Sequence, residues 1–360
     1  MPFTNLSIKH FRCFEDLQIE LSPGVNLFYG ANGSGKTSLL ESVYIFSSGK
    51  SFKSTNLKSL INHNHNKFLL EIYDNSRGYI STIKKSSDKP ISIKLNNKKI
   101  TTSNLVREFP CTAIHNNTFS FADASPDFRR KILDRSIFIA EEGYLKTWFS
   151  FYRSLKQRNN LLKNNRISEV YAWDIKVSEE GDVLNNYRTS FFNKTLEEFN
   201  RTIETLRPLS VFNFFDSILI EFSKGWDSQK KLSETLNDNK EKDVIRKTTT
   251  QGPHKADINF LINKLDARQI LSRGEQKFFS ILWCCSQHEV LKKHYDIKAT
   301  LLIDDIKSEL DDKTFNLLIE LLKANDNQVI FSCIENCFSS KIEHDFNNFK
   351  KFHVEQLIHK

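Results

Sequence analysis

Gly30-Ala31-Asn32-Gly33-Ser34-Gly35-Lys36-Thr37 is the stretch that decides how the rest of the chain is read. It fits GxxxxGK[ST], in which glycines let successive backbone N–H groups curl around phosphate oxygens at the start of a helix. The flanks are the ones this chemistry needs. Val25 to Tyr29 is a compact apolar run of strand type, and Ser38 to Phe46 continues as a helix with Leu39, Leu40, Val43 and Tyr44 on its buried side. Strand, glycine loop and helix in this order predict a loop that holds a nucleoside triphosphate, ATP with Mg²⁺. Gly30 to Thr37 and the adjacent Ser38 would wrap the phosphates, Lys36 would reach the β- and γ-phosphates, and the Thr37 hydroxyl would ligate Mg²⁺.

Two distant segments extend that reading. Thr300-Leu301-Leu302-Ile303-Asp304-Asp305 is an apolar strand that ends in two carboxylates. Asp304 is assigned to the metal and Asp305 to the attacking water, as the catalytic residue. Apolar strands also leave into acidic loops for no catalytic reason, so this assignment leans on the glycine loop. Leu271-Ser272-Arg273-Gly274-Glu275-Gln276-Lys277 precedes an apolar helix through Cys285, with Ser272 where an N-cap would leave free N–H donors pointing outward. A plain capped helix start explains that segment equally well when it is taken alone.

The remaining pattern predicts an α/β chain. Leu6, Ile8 and Phe11 read as one short strand, and Leu17, Ile19 and Leu21 as the next. Phe68 to Tyr73, Tyr79 to Lys84 and Ile91 to Leu95 alternate between turn-rich connections, as an antiparallel meander does. From about Ser125 the period becomes helical: Leu145, Trp148, Tyr152, Leu155, Asn159 and Leu162 share a face, as do Leu184, Tyr187, Phe191, Thr195 and Phe199. Strand patterns return at Thr300 to Asp305 and Gln328 to Cys333. The expected division is residues 1–115 and 248–360 as two parts of one α/β domain, a mixed sheet with the meander around the phosphate loop, and 116–247 as an inserted, mainly helical lobe. No internal repeat and no long heptad array is present.

At 360 residues, 39% hydrophobic, the chain is long enough for two domains or for one large domain with an insertion. A net charge of +8 and a pI near 9.0 favour phosphates or an acidic polymer as partners. In the lobe, Arg129, Arg130, Lys131, Lys146, Arg153, Lys156, Arg158, Lys163 and Arg166 are spaced so that several could share a face and contact DNA phosphates; an ordinary solvated face is the alternative. Cys13, Cys111, Cys284, Cys285, Cys333 and Cys337 lack zinc-finger spacing and are expected as reduced thiols. Lys9, His10, Arg12 and Glu15 stand where a signal peptide would be apolar, and no run approaches ~20 apolar residues. A cytoplasmic protein without a membrane partner is the expectation.

Several blocks, in order along the chain, carry a family resemblance: Leu6 to Phe14 (LSIKHFRCF), Tyr29 to Ser38 (YGANGSGKTS), Ser125 to Asp134 (SPDFRRKILD), Lys156 to Leu161 (KQRNNL), Gly252 to Asp257 (GPHKAD), Leu271 to Lys277 (LSRGEQK) and Leu302 to Asp311 (LIDDIKSELD). The sixth resembles the signature of ABC ATPases, LSGGQ in its usual form. Together they resemble the RecF family of recombination mediators, of the structural-maintenance-of-chromosomes and Rad50 branch.

The resemblance implies an ABC-type head without a long coiled coil, an ATP-dependent homodimer, and weak DNA-stimulated ATPase activity used as a switch. It also implies binding to gapped or single-strand/double-strand junction DNA, and action with RecO and RecR to help RecA replace single-strand-binding protein. Carried onto matching positions, it puts Arg12 near the nucleotide, Ser272, Arg273, Gly274, Glu275 and Gln276 on the partner's ATP in trans, and Ser308, Glu309, Leu310 and Asp311 in the loop that crosses the dimer interface. His254 and Lys255 would lie near nucleotide or DNA, unless Gly-Pro-His-Lys is only a turn. Three departures bear on chemistry. Asp305 stands where transporter ATPases have the longer Glu, Ser332 where many have a histidine on the γ-phosphate, and Ile114-His115-Asn116-Asn117 replaces a proline and acidic pattern that serves γ-phosphate sensing. The first two fit a slow switch. The alternatives are a transporter's nucleotide-binding subunit, a chromosome-organising head and an ATPase-coupled nuclease. They would need a membrane partner, long arms, and a nuclease domain after Asp311, respectively.

Overall fold

In the computed structural model the described residues are 3–74, 78–115, 118, 121–209, 212–305, 307, 310–323, 326–336, 343, 346 and 348–358. They form two compact units, Met1–Phe119 with Leu291–Lys360, and Ser120–Val290.

The first unit opens with β1 (Asn5–Phe11) and β2 (Phe14–Glu20), an antiparallel pair in which Leu6 lies opposite Ile19 and Ile8 opposite Leu17. β3 (Val25–Tyr29) then leads into α1 (Lys36–Ser48). The meander follows as β4 (Lys67–Asp74), β5 (Tyr79–Ser86), β6 (Ser92–Leu95) and β7 (Lys98–Lys99), and extends the first pair into a six-stranded sheet ordered β2-β1-β4-β5-β6-β7. One face of it is apolar, because alternate residues such as Leu6, Ile8, Leu70, Ile72 and Ile83 are buried. α2 (Thr102–Glu108), N-capped by the Thr101 hydroxyl, precedes β8 (Cys111–Ile114).

The second unit begins with α3 (Pro126–Ala140), capped by Ser125 with Pro126 in its first turn, and continues with α4 (Tyr144–Lys163) and the long α5 (Val170–Leu206). β9 (Ile218–Ser223), α6 (Leu232–Asp238), α7 (Lys240–Arg246), β10 (Asp257–Ile262), β11 (Leu265–Asp266) and α8 (Ala267–Ile270) come next. α9 (Arg273–Tyr295) carries the chain across the boundary between the units. An aromatic core holds the second unit together: fully buried Trp283 meets Phe192, Phe199 and Phe260, and Phe279 packs edge-on against Phe199 and Phe260.

β12 (Thr300–Ile303), α10 (Asp312–Lys323), β13 (Val329–Cys333), β14 (Lys350–His353) and α11 (Val354–Ile358) complete the first unit. Its second sheet is parallel, ordered β14-β3-β13-β12-β8. β12 and β13 are buried along their whole length, as a parallel sheet requires and as their mainly apolar sequences foretell. α1 packs on β13 and β8, and its Leu39, Leu40, Val43 and Phe46 join Phe28, Phe11 and Phe14 in one apolar cluster.

The structure departs from the sequence reading in three places. The helical unit runs to Val290 instead of ending at 247, because residues 248–290 pack among its own helices. It also contains an antiparallel sheet, β11-β10-β9, that the helical period around it hides; Ile258, Phe260 and Ile262 are its buried alternation. Third, Cys333 is disulfide-bonded, whereas Cys13, Cys111, Cys284 and Cys285 are free. Among the described residues no helix is long and apolar enough to cross a membrane.

Candidate nucleotide-binding site

β3 delivers the chain to Gly30, and the loop turns through Gly33 and Gly35 with φ of 87° and 99°. Gly35 has a second constraint: a Cβ there would stand 2.7 Å from Cys13 Sγ, so the loop lies directly on the β1–β2 turn. Lys36 begins α1 and folds back, donating to the carbonyls of Gly30 at 2.7 Å and Ala31 at 2.8 Å. Burial lowers the pKa of its ammonium, against the attraction of Asp305, Glu355 and Asp304. The cavity in front of the loop, about 330 Å³, is walled by Asn32, Gly33, Lys36, Thr37 and Ser38 on one side and by Arg12, Cys13, Lys53 and Asp305 on the other.

Thr37 and Asp304 meet in this site although they are far apart in the chain: the hydroxyl donates to Asp304 Oδ1 at 3.1 Å. Two adjacent hard oxygen donors suit Mg²⁺. Burial pushes the Asp304 carboxyl above its ordinary pKa, opposed by hydrogen bonds from Ser332 and Thr37. A buried carboxylate lacking full compensation is what a cation would stabilise. Ser332 is the residue whose role the sequence did not reveal. Its hydroxyl donates to Asp304 Oδ1 at 2.6 Å and accepts from the Asp305 N–H at 2.8 Å, tying both acids to β13. Asp305 itself turns through φ 50°, a left-handed conformation that Asp tolerates better than most residues.

Arg12 lines the same cavity, held from behind by Glu41 of α1 through bonds of 3.0 and 3.2 Å. His115 stacks on Phe52, and burial drives its pKa down to about 4, so the ring is neutral. Asn116 and Asn117 lie outside the described residues.

Glu355 was not foreseen. β14 pairs beside β3, with His353 opposite Tyr29, and α11 then brings the Glu355 carboxylate to accept the Ala31 N–H at 2.6 Å. That bond holds the carboxyl below its ordinary pKa. An anion here opposes a phosphate in the adjoining loop, so Glu355→Gln, which keeps an acceptor for Ala31, should raise triphosphate affinity about 3- to 10-fold in equilibrium dialysis. Unchanged or weaker binding would mean that Glu355 serves only to shape the loop.

In the second unit Ser272, Arg273 and Gly274 are exposed at the start of α9. Ser272 and Glu275 form a capping box, with the Ser272 N–H donating to Glu275 Oε2 at 2.8 Å and the Glu275 N–H to Ser272 Oγ at 3.4 Å. Ser272 is thus the N-cap that the sequence suggested, and of the N–H groups at this helix start those of Ser272 and Glu275 are engaged. Gln276 donates to the Leu271 carbonyl at 2.9 Å. Ser308 and Glu309 lie outside the described residues; Leu310 is buried, and Asp311 caps α10 by accepting from the Thr314 N–H at 2.8 Å.

The basic residues of the lobe divide into two groups. Arg129 is buried against Asp257 at 2.7 Å, Arg130 donates to the Ala256 carbonyl at 2.6 Å, and Arg158 is fully enclosed by Asp174, Asp243 and Thr249. Lys131 pairs with Asp127 and Arg166 with Glu169. His254 bonds the Thr249 carbonyl at 3.0 Å, and burial brings its pKa down to about 4 in spite of that bond. Arg129, Arg158 and His254 thus hold the lobe together and present no face to a phosphate. Lys146, Arg153, Lys156 and Lys163 remain exposed along one face of α4, with Phe149, 59% exposed, among them.

Comparison with known proteins agrees with the motif order. The RecF/RecN/SMC N-terminal domain family matches residues 2–356. The DNA replication and repair protein RecF of Pseudoalteromonas translucida is 32% identical over 99% of this chain and 98% of its own length. That of Nitrosococcus oceani is also 32% identical, with the same coverage. A solved structure of the recombination mediator protein RecF with ATP, described as part of the RecFOR pathway, superposes with a TM-score of 0.79 at 22% identity, covering 98% of this chain and 96% of that one. The chain belongs to the RecF/RecN/SMC family and, within it, to the RecF DNA replication and repair proteins.

Proposed function

We propose that this protein is an ATP-gated DNA clamp of recombinational gap repair: two copies close on ATP at gapped or junction DNA, and slow hydrolysis reopens them. The observation that carries the reading is the convergence of Lys36, Thr37, Asp304, Asp305 and Ser332 around one cavity. ATP as the nucleotide is supported by the relative solved with it.

Lys36 and the loop N–H groups grip the phosphates, Arg12 stands over them, and Thr37 with Asp304 would hold Mg²⁺. When bound, Mg²⁺ supplies charge neutralisation on the phosphate oxygens. Asp305 orients the attacking water, and its short side chain makes turnover slow, which suits a switch. The exposed Ser272 to Gly274 edge, with Glu275 and Gln276 behind it, would complete the partner's site in trans, with Ser308 to Asp311 at the dimer interface. The exposed cations of α4 support DNA as what is enclosed. Among the described residues none of Lys146, Arg153, Lys156 and Lys163 has an acidic partner, and Phe149 offers a stacking surface beside them. The pathway named for the solved relative supports RecO and RecR counterparts as partners, and RecA loading as the outcome.

Mixing Lys36→Arg with Ser272→Arg tests the shared site. Neither variant alone should hydrolyse ATP on gapped DNA, whereas random pairing leaves about a quarter of the composite sites intact and restores activity in proportion. A mixture as silent as its components would end the trans arrangement.

A further inference from the structure

A second cluster of chemically active side chains lies on the first unit, outside the cavity just described. His10 faces Glu15 across the β1–β2 ladder, between the pairs Lys9–Asp16 and Phe11–Phe14. Its backbone has φ 55°, a left-handed conformation costing a side-chain-bearing residue roughly 1 kcal/mol. At this point β1 leaves β4, whose last pair is Lys9 with Leu69, and joins the loop at residues 60–65: Phe11 bridges Ile61, and the Asn62 N–H donates to the His10 carbonyl at 2.9 Å. The turn closed by the His65 N–H on the Asn62 carbonyl, at 3.0 Å, then sets His65 beside His10.

The two imidazoles stack with centroids 3.5 Å apart and planes 21° from parallel. Both turn a nitrogen toward one carboxylate oxygen: His65 Nε2 is 2.7 Å and His10 Nδ1 3.4 Å from Glu15 Oε2. One ligand atom from each of the three lies within 4.8 Å of the other two. Donors bound at the usual ~2.0–2.1 Å in a tetrahedral site stand about 3.4 Å apart, so small side-chain rotations bring all three onto one ion. The rings are about one-third exposed, which leaves an open path and a free fourth position for water.

We propose that His10, Glu15 and His65 form a binding site for a first-row divalent cation, Zn²⁺ foremost. Two borderline imidazole nitrogens beside one hard carboxylate favour this class over Mg²⁺ or Ca²⁺. The ion would pin the β1–β2 turn to the 60–65 loop, where the Arg12 N–H already donates to the Leu60 carbonyl at 2.8 Å. Arg12 and Cys13, both on that turn, wall the nucleotide cavity, so the site would stiffen one side of it.

The test is a competition titration of tag-free, metal-stripped full chain with Zn²⁺ against a chromophoric chelator, with the cobalt form examined by absorption. One equivalent should bind, with a cobalt spectrum free of thiolate charge transfer. His10→Ala and His65→Ala should each weaken binding by at least the ~10- to 100-fold typical of disturbing even an outer-shell partner. The rise in melting temperature with Zn²⁺ should vanish in both variants, whose own folding is verified by circular dichroism without metal. No binding, thiolate bands, or an affinity that neither variant changes would overturn the site.

Discussion

Replacing Lys36 with alanine should lower ATP affinity about 10- to 100-fold, because a charge-assisted hydrogen bond of this kind contributes ~1.5–3 kcal/mol. The side chain is 6% exposed, and its ammonium is already at the loop, held by the carbonyls of Gly30 and Ala31. Binding therefore asks only for an exchange of acceptors over a short distance, and little conformational entropy is lost. The cation also offsets the nearby Asp304, Asp305 and Glu355, all of which oppose a phosphate. Without Lys36 those carboxylates face the nucleotide uncompensated, so the loss should exceed that for Lys36→Arg, which keeps the charge at the cost of bulk. Calorimetric titration measures the affinity, and an unchanged melting temperature shows that the loop and not the fold was altered. Binding within twofold of the parent would remove Lys36 from the phosphate grip.

What the sequence disclosed about this site follows the range of each signal. Gly30 to Thr37 was readable because its geometry is local: glycine freedom, a strand before and a helix after. Asp304 and Asp305 were readable as the end of an apolar strand. Glu355 was not, because nothing near it marks its role, and Ser332 was marked only as a replaced histidine and not as a tie to the two acids. Ser332 reaches the two acids through the parallel register that sets Phe331 beside Ile303, and Glu355 reaches Ala31 through the register of His353 with Tyr29. Those registers follow from packing across more than a single segment. The sheet β11-β10-β9 was overlooked for a related reason, since β9 and β10 are short and separated in sequence by two helices. On the lobe, spacing could place basic residues on helices but not tell an inward guanidinium from an outward ammonium. Lys156 and Arg158 are two residues apart on α4 and point to different sides.

Arg158 accordingly supports a prediction about stability where the sequence suggested DNA contact. Its side chain is fully buried, with Nε donating to Asp174 at 2.6 Å and Nη1 to Asp243 at 2.7 Å and Thr249 at 2.8 Å. These bonds join α4 to α5, to α7 and to the segment leading into the Gly-Pro-His-Lys turn. Burial keeps the Asp174 carboxyl above its ordinary pKa even beside Arg158, so this site solvates charge poorly. Arg158→Met would leave Asp174 and Asp243 without their hydrogen-bonded cation, with Lys240 still acting on Asp174, and should destabilise the unit by ~3–5 kcal/mol. For a unit of this size that lowers the melting temperature by about 6–20 °C. Adding Asp243→Asn removes one uncompensated charge and should return part of the loss, a coupling that a double-mutant cycle isolates. A phosphate-contacting arginine behaves in the opposite way, with unchanged melting and a shallower salt dependence of DNA binding. That second outcome would restore the reading of Arg158 as part of the DNA face and refute its role as an internal tie.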